Sequence, residues 1–307
     1  MISPKYSVIV PVFNSEATLE ELYTRTRAVF DDLKDSFEMI FVEDGCRDRS
    51  WEVMKKIKAS DPERITVIQL SRNFGQHNAT FCGFAQAKGD WIITMDDDLQ
   101  HPPEEIPKLV RFQNETEADL VYGISKDKKH SLVRRTYSQS FRSASKRIFK
   151  GPGKGSSFRL LNKQLVLNVL NHHQYFMFID ELFLWYTGDI RFITVRHDSR
   201  KHRRSGYTSW SLFQIIANIL LFYTSVPLKL MVYTGLLVSA FSFLIGTFYL
   251  IKKIFFNVSV EGYTSLIVAI LFSTGIILLS LGVIGEYISR IYLVQNRKPP
   301  YNIKKIL

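Results

Sequence analysis

Trp91–Asp98, WIITMDDD, runs an apolar strand-like stretch directly into three consecutive carboxylates, Asp96, Asp97 and Asp98. Neighbouring like charges repel and Asp is a poor strand former, so a strand that ends this way needs something to hold its terminus together. Working outward, the same kind of run returns at Tyr6–Val12 (YSVIVPV), Phe37–Val42 (FEMIFV), Ile65–Leu70 (ITVIQL) and Leu120–Tyr122, beside Trp91–Met95 itself. Glu16–Leu33, Ser50–Ala59, Asn78–Ala87 and Glu104–Asn114 lie between them with helical spacing. Continuous Val/Ile-rich strands separated by helices predict an α/β domain whose mostly parallel, Rossmann-like sheet is covered on both faces.

Ligands of such sheets gather at the carboxyl ends of the strands. Pro11-Val12-Phe13-Asn14 leaves the first strand, Glu43-Asp44-Gly45 the second, Ser71-Arg72-Asn73 the third and Asp96-Asp97-Asp98 the fourth, all on one rim. Acidic loop ends that merely aid solubility would explain any one of these, but poorly explain all four. Read as a strand, Asp96 and Asp98 bracket Asp97 on one side, with Gln100 continuing the alternation. Two carboxylates and an amide oxygen suit a hard divalent cation, Mg2+ or Mn2+, that keeps waters and takes phosphate oxygens as further ligands.

The 307 residues and net charge of +11 allow one domain plus something more. Leu230–Ile251 and Leu266–Gly285 carry no charge, and each is long enough to cross a hydrocarbon core of about 30 Å as a helix. Lys201, Arg203, Arg204 and Lys229 precede the first; Arg290, Arg297, Lys298, Lys304 and Lys305 follow the second; Lys252 and Lys253 face Glu261 between them. The positive-inside rule then puts the large domain and residues after the second span on the cytoplasmic side. The uncharged Thr208–Val226 reads as an interfacial amphipathic helix. Met1-Ile2-Ser3-Pro4-Lys5 runs straight into a strand, so no signal peptide is expected, and Cys46 and Cys82 suggest no disulfide framework.

Lys126–Lys163 holds twelve Lys/Arg against the single Asp127. No recognition module or aromatic stacking pattern accompanies this charge, so nucleic acid is not the expected partner. A phosphate-rich ligand near an anionic membrane surface fits it better, with Gly151-Pro152-Gly153-Lys154-Gly155 as a flexible basic loop able to close over it.

VPVFN, FVEDGCRDRS, LSRNFGQHNAT, MDDDLQHPPEEIPKL and SSFRLL, followed by a two-span tail ending LGVIGEYISRIY, resemble the polyprenyl-phosphate glycosyltransferases. These are membrane-bound relatives of dolichyl-phosphate mannose synthase among the inverting family 2 enzymes of GT-A fold. The resemblance runs in order along almost the whole chain. It implies a GT-A domain over residues 1–207, a juxtamembrane helix over 208–227, two transmembrane helices within 228–290 (about 230–251 and 264–287) and a basic cytoplasmic tail over 291–307. It implies transfer of a sugar from a nucleotide sugar to undecaprenyl or another polyprenyl phosphate, in a bacterial inner membrane with the catalytic domain in the cytoplasm, for cell-envelope glycan modification. Relatives also suggest homo-oligomers.

Carried over residue by residue, Pro11, Phe13 and Asp44 would hold the base and ribose, and Asn14, Arg72, Gln76, Asp96 and Asp97 would also bind the nucleotide sugar. Asp96, Asp98 and Gln100 would hold the metal. Arg134, Arg135, Arg159, Arg200, Arg203, Arg204 and Ser205 would meet the lipid phosphate, with Asp98, Arg159 and Arg134 as the catalytic set; the planar fork of Arg binds phosphate oxygens in pairs.

The chain departs from the family pattern in three places. Glu43-Asp44-Gly45 stands for the usual Asp-Asp-Gly, Ser15 for an acidic residue, and Ser156-Ser157-Phe158-Arg159 for the common Gly-Asp-Phe-Arg. The last leaves no carboxylate at a position sometimes proposed as catalytic. A sugar hydroxyl acceptor needs a base, whereas a phosphomonoester, with a second pKa of about 6, is already largely a dianion at neutral pH. The loss therefore weakens a hydroxyl-acceptor mechanism more than a lipid-phosphate one. Asp180 and Glu181, in FIDELFLW, are reserve candidates for a base, with structural roles expected first. Two other readings are a transferase or processive synthase acting on a saccharide hydroxyl and a decayed, membrane-anchored binding protein. Against the first, Gln139–Arg142 is followed by Ser143 where a processive synthase carries Trp; against the second stands the intact Asp96/Asp98 pair.

Overall fold

The computed structural model describes residues 3–125, 155–171, 179–198, 226–256, 262–295 and 299–307. The chain divides into two compact units, residues 1–205 with 299–307 and residues 206–298.

The first unit is built on an eight-stranded sheet in the order β7-β5-β6-β4-β1-β2-β3-β8. Its strands are β1 (Tyr6–Val12), β2 (Phe37–Glu43), β3 (Ile65–Leu70), β4 (Trp91–Thr94), β5 (Leu120–Ser125), β6 (Arg159–Asn162), β7 (Ile190–Val195) and β8 (Ile303–Ile306). The helices are α1 (Leu19–Leu33), α2 (Ser50–Ser60), α3 (Gln76–Gln86), α4 (Ile106–Thr116), α5 (Lys163–Leu170) and α6 (Ile179–Tyr186), with a 3-10 turn at Pro103–Glu105. β1 pairs in parallel with β2 and β4, β2 with β3, and β5 with β7. The antiparallel pairs are β4–β6, β5–β6 and β3–β8.

The period-2 geometry of a strand divides each apolar run between the two faces. Val8, Val10 and Val12 of β1 join Phe41, Leu22, Phe30, Met54 and Leu109 on one side. Ile9 joins Ile40, Val42, Phe84, Val166 and Phe183 on the other. Burial on both faces is why these strands read as unbroken hydrophobic runs rather than as alternating ones.

The structure corrects three expectations. β4 stops at Thr94, so the three carboxylates lie in a turn beyond the strand, and Leu99 within it has φ 59°. Strand alternation therefore does not set the directions of Asp96, Asp98 and Gln100. β6, absent from the sequence reading, runs antiparallel between β4 and β5. Residues 299–307, expected within a basic tail, supply β8 to the open edge of β3, where Val67 and Leu307 exchange backbone hydrogen bonds of 3.1 and 2.9 Å.

The second unit consists, among the described residues, of α7 (Val226–Phe256, 31 residues) and α8 (Tyr263–Gln295, 33 residues). At 1.5 Å per residue each is roughly 45–50 Å long. The expected spans fall inside them. One window, Phe272–Ser289 of α8, is long and apolar enough to cross a membrane by the usual hydropathy measure, and none of it is buried. Leu237, Phe241 and Leu244 of α7 are likewise 63–70% exposed. Arg134, Arg135, Arg200, Arg203, Arg204 and Ser205, the Gly151–Lys154 part of the basic loop and Thr208–Ser225 lie outside the described residues.

Candidate active site

The loops after β1, β2, β3 and β4 are bound into one polar rim. Asn14, following β1, adopts φ 51°, a left-handed conformation that Asn tolerates better than most residues. Its side-chain oxygen accepts from the Arg47 N–H at 2.7 Å, joining the loops after β1 and β2. Asp44, only 3% exposed, accepts the Phe74 and Gly75 N–H groups at 2.6 and 2.9 Å, one on each oxygen, and so fixes the loop that leads into α3. Burial raises its carboxyl above the ordinary range, opposed by those two backbone donors. Gly45 permits the approach: it has φ +71°, and a Cβ there would stand 2.5 Å from the Asn73 nitrogen.

The three carboxylates face three different sets of partners. Asp96 accepts from Gln76 Nε2 on one oxygen and from the Ser157 hydroxyl on the other, both at 2.6 Å. Burial raises its pKa, the Asp98 charge adds to this, and the Ser157 and Gln76 donors and the Arg159 charge oppose it. Asp97, expected at the nucleotide sugar, turns to the β1 loop: one oxygen accepts the Phe13 N–H at 2.9 Å and the Ser15 hydroxyl at 2.6 Å. Its backbone carbonyl takes the Thr18 hydroxyl at 2.6 Å. Burial pushes the Asp97 carboxyl up to about 6 despite those donors. Asp98 accepts the Gln100 N–H at 3.1 Å, an Asx-type contact that shapes the turn.

The rim thus brings together Phe13, Asn14, Asp44, Gln76, Asp96, Asp97, Asp98 and Gln100. Pro11 sits below it, buried within β1 and beyond Ile9, the last β1 residue paired with β4, so its missing N–H costs no bond on that side. Arg72 is exposed, with its guanidinium 4.8 Å from the centre of the Phe74 ring. Arg159, expected on a lipid phosphate, is instead 4% exposed and paired with Asp180. Its Nε donates to Thr94 Oγ1 at 2.9 Å.

Ser15, Thr18, Thr94, Tyr122 and Ser157 escaped the sequence reading as site residues, because each acts through a partner between 58 and 82 positions away. The SSFR departure points only to the carboxylate Ser157 lacks; the structure shows its hydroxyl donating to Asp96.

Among the described residues no three His, Cys, Asp or Glu side chains are grouped to enclose a metal. Asp96, Asp98 and Gln100 still fit Mg2+ or Mn2+: all are hard oxygen donors, and such ions commonly complete their shell with water and phosphate. Burial first, and then the Asp98 charge, raise Asp96; a cation would relieve the like-charge part.

Residues 7–183 match the family described as Glycosyl transferase family 2, and residues 226–291 match the GtrB C-terminal hairpin. Among curated relatives, the chain is 32% identical over 305 residues to the undecaprenyl-phosphate 4-deoxy-4-formamido-L-arabinose transferase of Shewanella sediminis, covering 98% of this chain and 92% of that one. It is 32% identical over 308 residues to the bactoprenol glucosyl transferase of Shigella phage SfII, covering 98% of both. A solved structure of glucosyl-3-phosphoglycerate synthase from Mycobacterium tuberculosis, in complex with Mn2+ and UDP-glucose, superposes with a TM-score of 0.50 at 17% identity, over 71% of this chain and 78% of that one. That likeness is one of fold.

Proposed function

The chain belongs to glycosyl transferase family 2 and carries a GtrB C-terminal hairpin, and on that premise we propose that it moves one sugar from a nucleotide sugar to undecaprenyl phosphate, with inversion, in envelope glycan modification. The observation that carries the reading is the near end-to-end match, hairpin included, to relatives named for two different sugars and one kind of lipid acceptor. What they share is the acceptor, so the acceptor is the firmer half of the assignment.

In the reaction a phosphate oxygen of the lipid forms a bond to the anomeric carbon as the bond from that carbon to the nucleoside diphosphate breaks. The acceptor is already an anion, so no side chain need remove a proton. The protein's task is to align the two substrates and to stabilise charge on the leaving diphosphate. A divalent cation held by Asp96, Asp98 and Gln100 would supply that charge neutralisation. Phe13, Asn14 and Asp44 shape the nucleotide end of the rim, with Arg72 and Gln76 toward the diphosphate and sugar. Arg134, Arg135, Arg200, Arg203, Arg204 and Ser205 are assigned to the lipid phosphate, on charge alone.

The domain boundaries drawn from the sequence are kept, with residues 299–307 moved to the catalytic domain. Both ends of residues 206–298 join the unit that contains the sheet. A segment tethered in that way crosses a bilayer an even number of times. This supports a hairpin of two spans independently of flanking charge; the charge alone assigns the catalytic domain to the cytoplasm, and self-association through the spans is part of the same proposal.

The test supplies the purified protein with undecaprenyl phosphate, Mg2+ or Mn2+ and a panel of nucleotide sugars. Labelled lipid from one donor, dependent on the cation and lost in Asp98→Ala, is the expected result. Labelled polymer or a glycosylated saccharide in place of the lipid would overturn it, as would no product with any donor.

A further inference from the structure

The contacts that hold Asp96 do not stop at Ser157. The Thr94 hydroxyl donates to the Ser157 carbonyl at 2.6 Å, and Arg159 Nε donates to Thr94 Oγ1 at 2.9 Å. Arg159 Nη1 is paired with Asp180 Oδ1, and the Tyr122 hydroxyl donates to that same oxygen at 2.7 Å. Strand register explains the convergence: in β6, Arg159 lies opposite both Thr94 of β4 and Tyr122 of β5. α6 then brings Asp180 to them, and Phe183 from the same helix lies 5.2 Å beneath the guanidinium. The chain also returns to the sheet closely over this carboxylate, since a Cβ on Gly155 would stand 2.9 Å from Asp180 Oδ2.

Thr94, Tyr122 and Arg159 are 2, 3 and 4% exposed. A guanidinium so buried requires a counter-charge, and Asp180 provides it. The same pairing holds the guanidinium plane in one orientation, so Nε meets Thr94. Thr94 in turn holds the Ser157 carbonyl, and the Ser157 hydroxyl stays on Asp96 Oδ2. Asp180 Oδ1, with two donors already on it, is poorly suited to act as the reserve base suggested by the sequence.

The geometry points to Asp180 as a positioning residue: through Arg159, Thr94 and Ser157 it sets the direction of the Asp96 carboxylate at the donor diphosphate. The functional half of this inference rests on the reading above; the mechanical coupling does not.

The test is a double-mutant cycle on the full-length protein in detergent, with Asp180→Asn, Ser157→Ala and the pair. UDP affinity in the presence of Mn2+ and the thermal midpoint are measured for each. Each single substitution is expected to weaken UDP binding about tenfold, the equivalent of one hydrogen bond to a charged group. The pair should bind no worse than the weaker single, because both break one chain of contacts. Tyr122→Phe keeps both charges and substitutes for Asp180→Asn if that variant does not fold; it is expected to weaken binding about threefold, an ordinary hydrogen bond. A folded variant at position 180 or 122 with unchanged UDP affinity, or single effects that simply add, would overturn the inference. If the wild-type protein binds no UDP with Mn2+, the donor carries another nucleotide and the proposed function is not thereby refuted. The cycle in thermal midpoints then decides the coupling, with non-additivity supporting it and additivity refuting it.

Discussion

Replacing Gly45 with Ala tests whether the loops after β2 and β3 meet as closely as the structure has them. Gly45 sits at φ +71°, and an added Cβ would lie 2.5 Å from the Asn73 nitrogen, 3.0 Å from the Arg72 carbonyl carbon and 3.1 Å from the Asn73 Cα. All three are backbone atoms, so no flexible side chain can move aside. The left-handed conformation alone costs an Ala about 1–2 kcal/mol, and overpacking against fixed atoms adds about 1–3 kcal/mol. A domain of roughly 200 residues shifts its midpoint by about 2–4 °C per kcal/mol, so a fall of roughly 5–15 °C is expected. The two contributions can be separated within the same protein. Lys34, exposed at the end of α1, also adopts the left-handed region at φ 55°, ψ 30°. Lys34→Gly relieves that strain with nothing else crowded and should raise the midpoint by only a few degrees, from about 1 kcal/mol. Both are read as apparent midpoints by tryptophan fluorescence at one fixed scan rate. If Gly45→Ala loses no more than Lys34→Gly gains, the Asn73 backbone is not where it is described. The displaced loop carries Arg72 and Gln76, so nucleotide affinity should fall with the midpoint.

Three further outcomes are expected. Burial raises the Glu181 carboxyl, with the Trp185 indole N–H opposing it, so the folded protein holds that proton to higher pH than the unfolded chain. The charge then works against folding above that range, and the penalty fades as the pH falls toward the ordinary carboxylate value. Glu181→Gln should therefore raise the midpoint near about pH 7.5 and converge with wild type near about pH 4.3; a lowered midpoint at the higher pH would contradict this. Deleting residues 299–307 removes the Val67–Leu307 pair and the Ser71–Asn302 bond, at about 0.5–1.5 kcal/mol each, and bares the β3 edge. A lower midpoint and earlier elution on gel filtration are expected, and retention of both wild-type values would refute the pairing. Ser157→Asp supplies the carboxylate that the Gly-Asp-Phe-Arg pattern implied by the resemblance would have, yet an anionic acceptor needs no base, so turnover should not rise; a tenfold increase would show that proton removal limits the reaction.

The sequence made the central architecture legible because β1, β2 and β3 are buried on both faces and read as unbroken apolar runs. β6 escaped because RLLN is four residues long and follows a strongly basic stretch. β8 escaped because IKKI is an edge strand whose lysines look like tail residues; edge strands often carry lysines for this reason. The rim itself was legible, since each loop left an apolar run in the same sense. Directions on the rim were not. Asp96 and Asp98 were aligned by strand periodicity, whereas β4 ends at Thr94 and the left-handed Leu99 turns the chain. Asp97 and Asp44, read from the sequence as ligand contacts, also hold Phe13, Ser15, Phe74 and Gly75, pairings that local pattern does not encode.

Strand β8 follows residues 206–298 in the chain, yet it completes a sheet whose other strands all precede them. During synthesis the β3 edge therefore stays unpaired until both long helices have been made. A nascent chain stalled before residue 303 displays a bare ladder of amides and carbonyls, an edge open to pairing with any other chain that meets it.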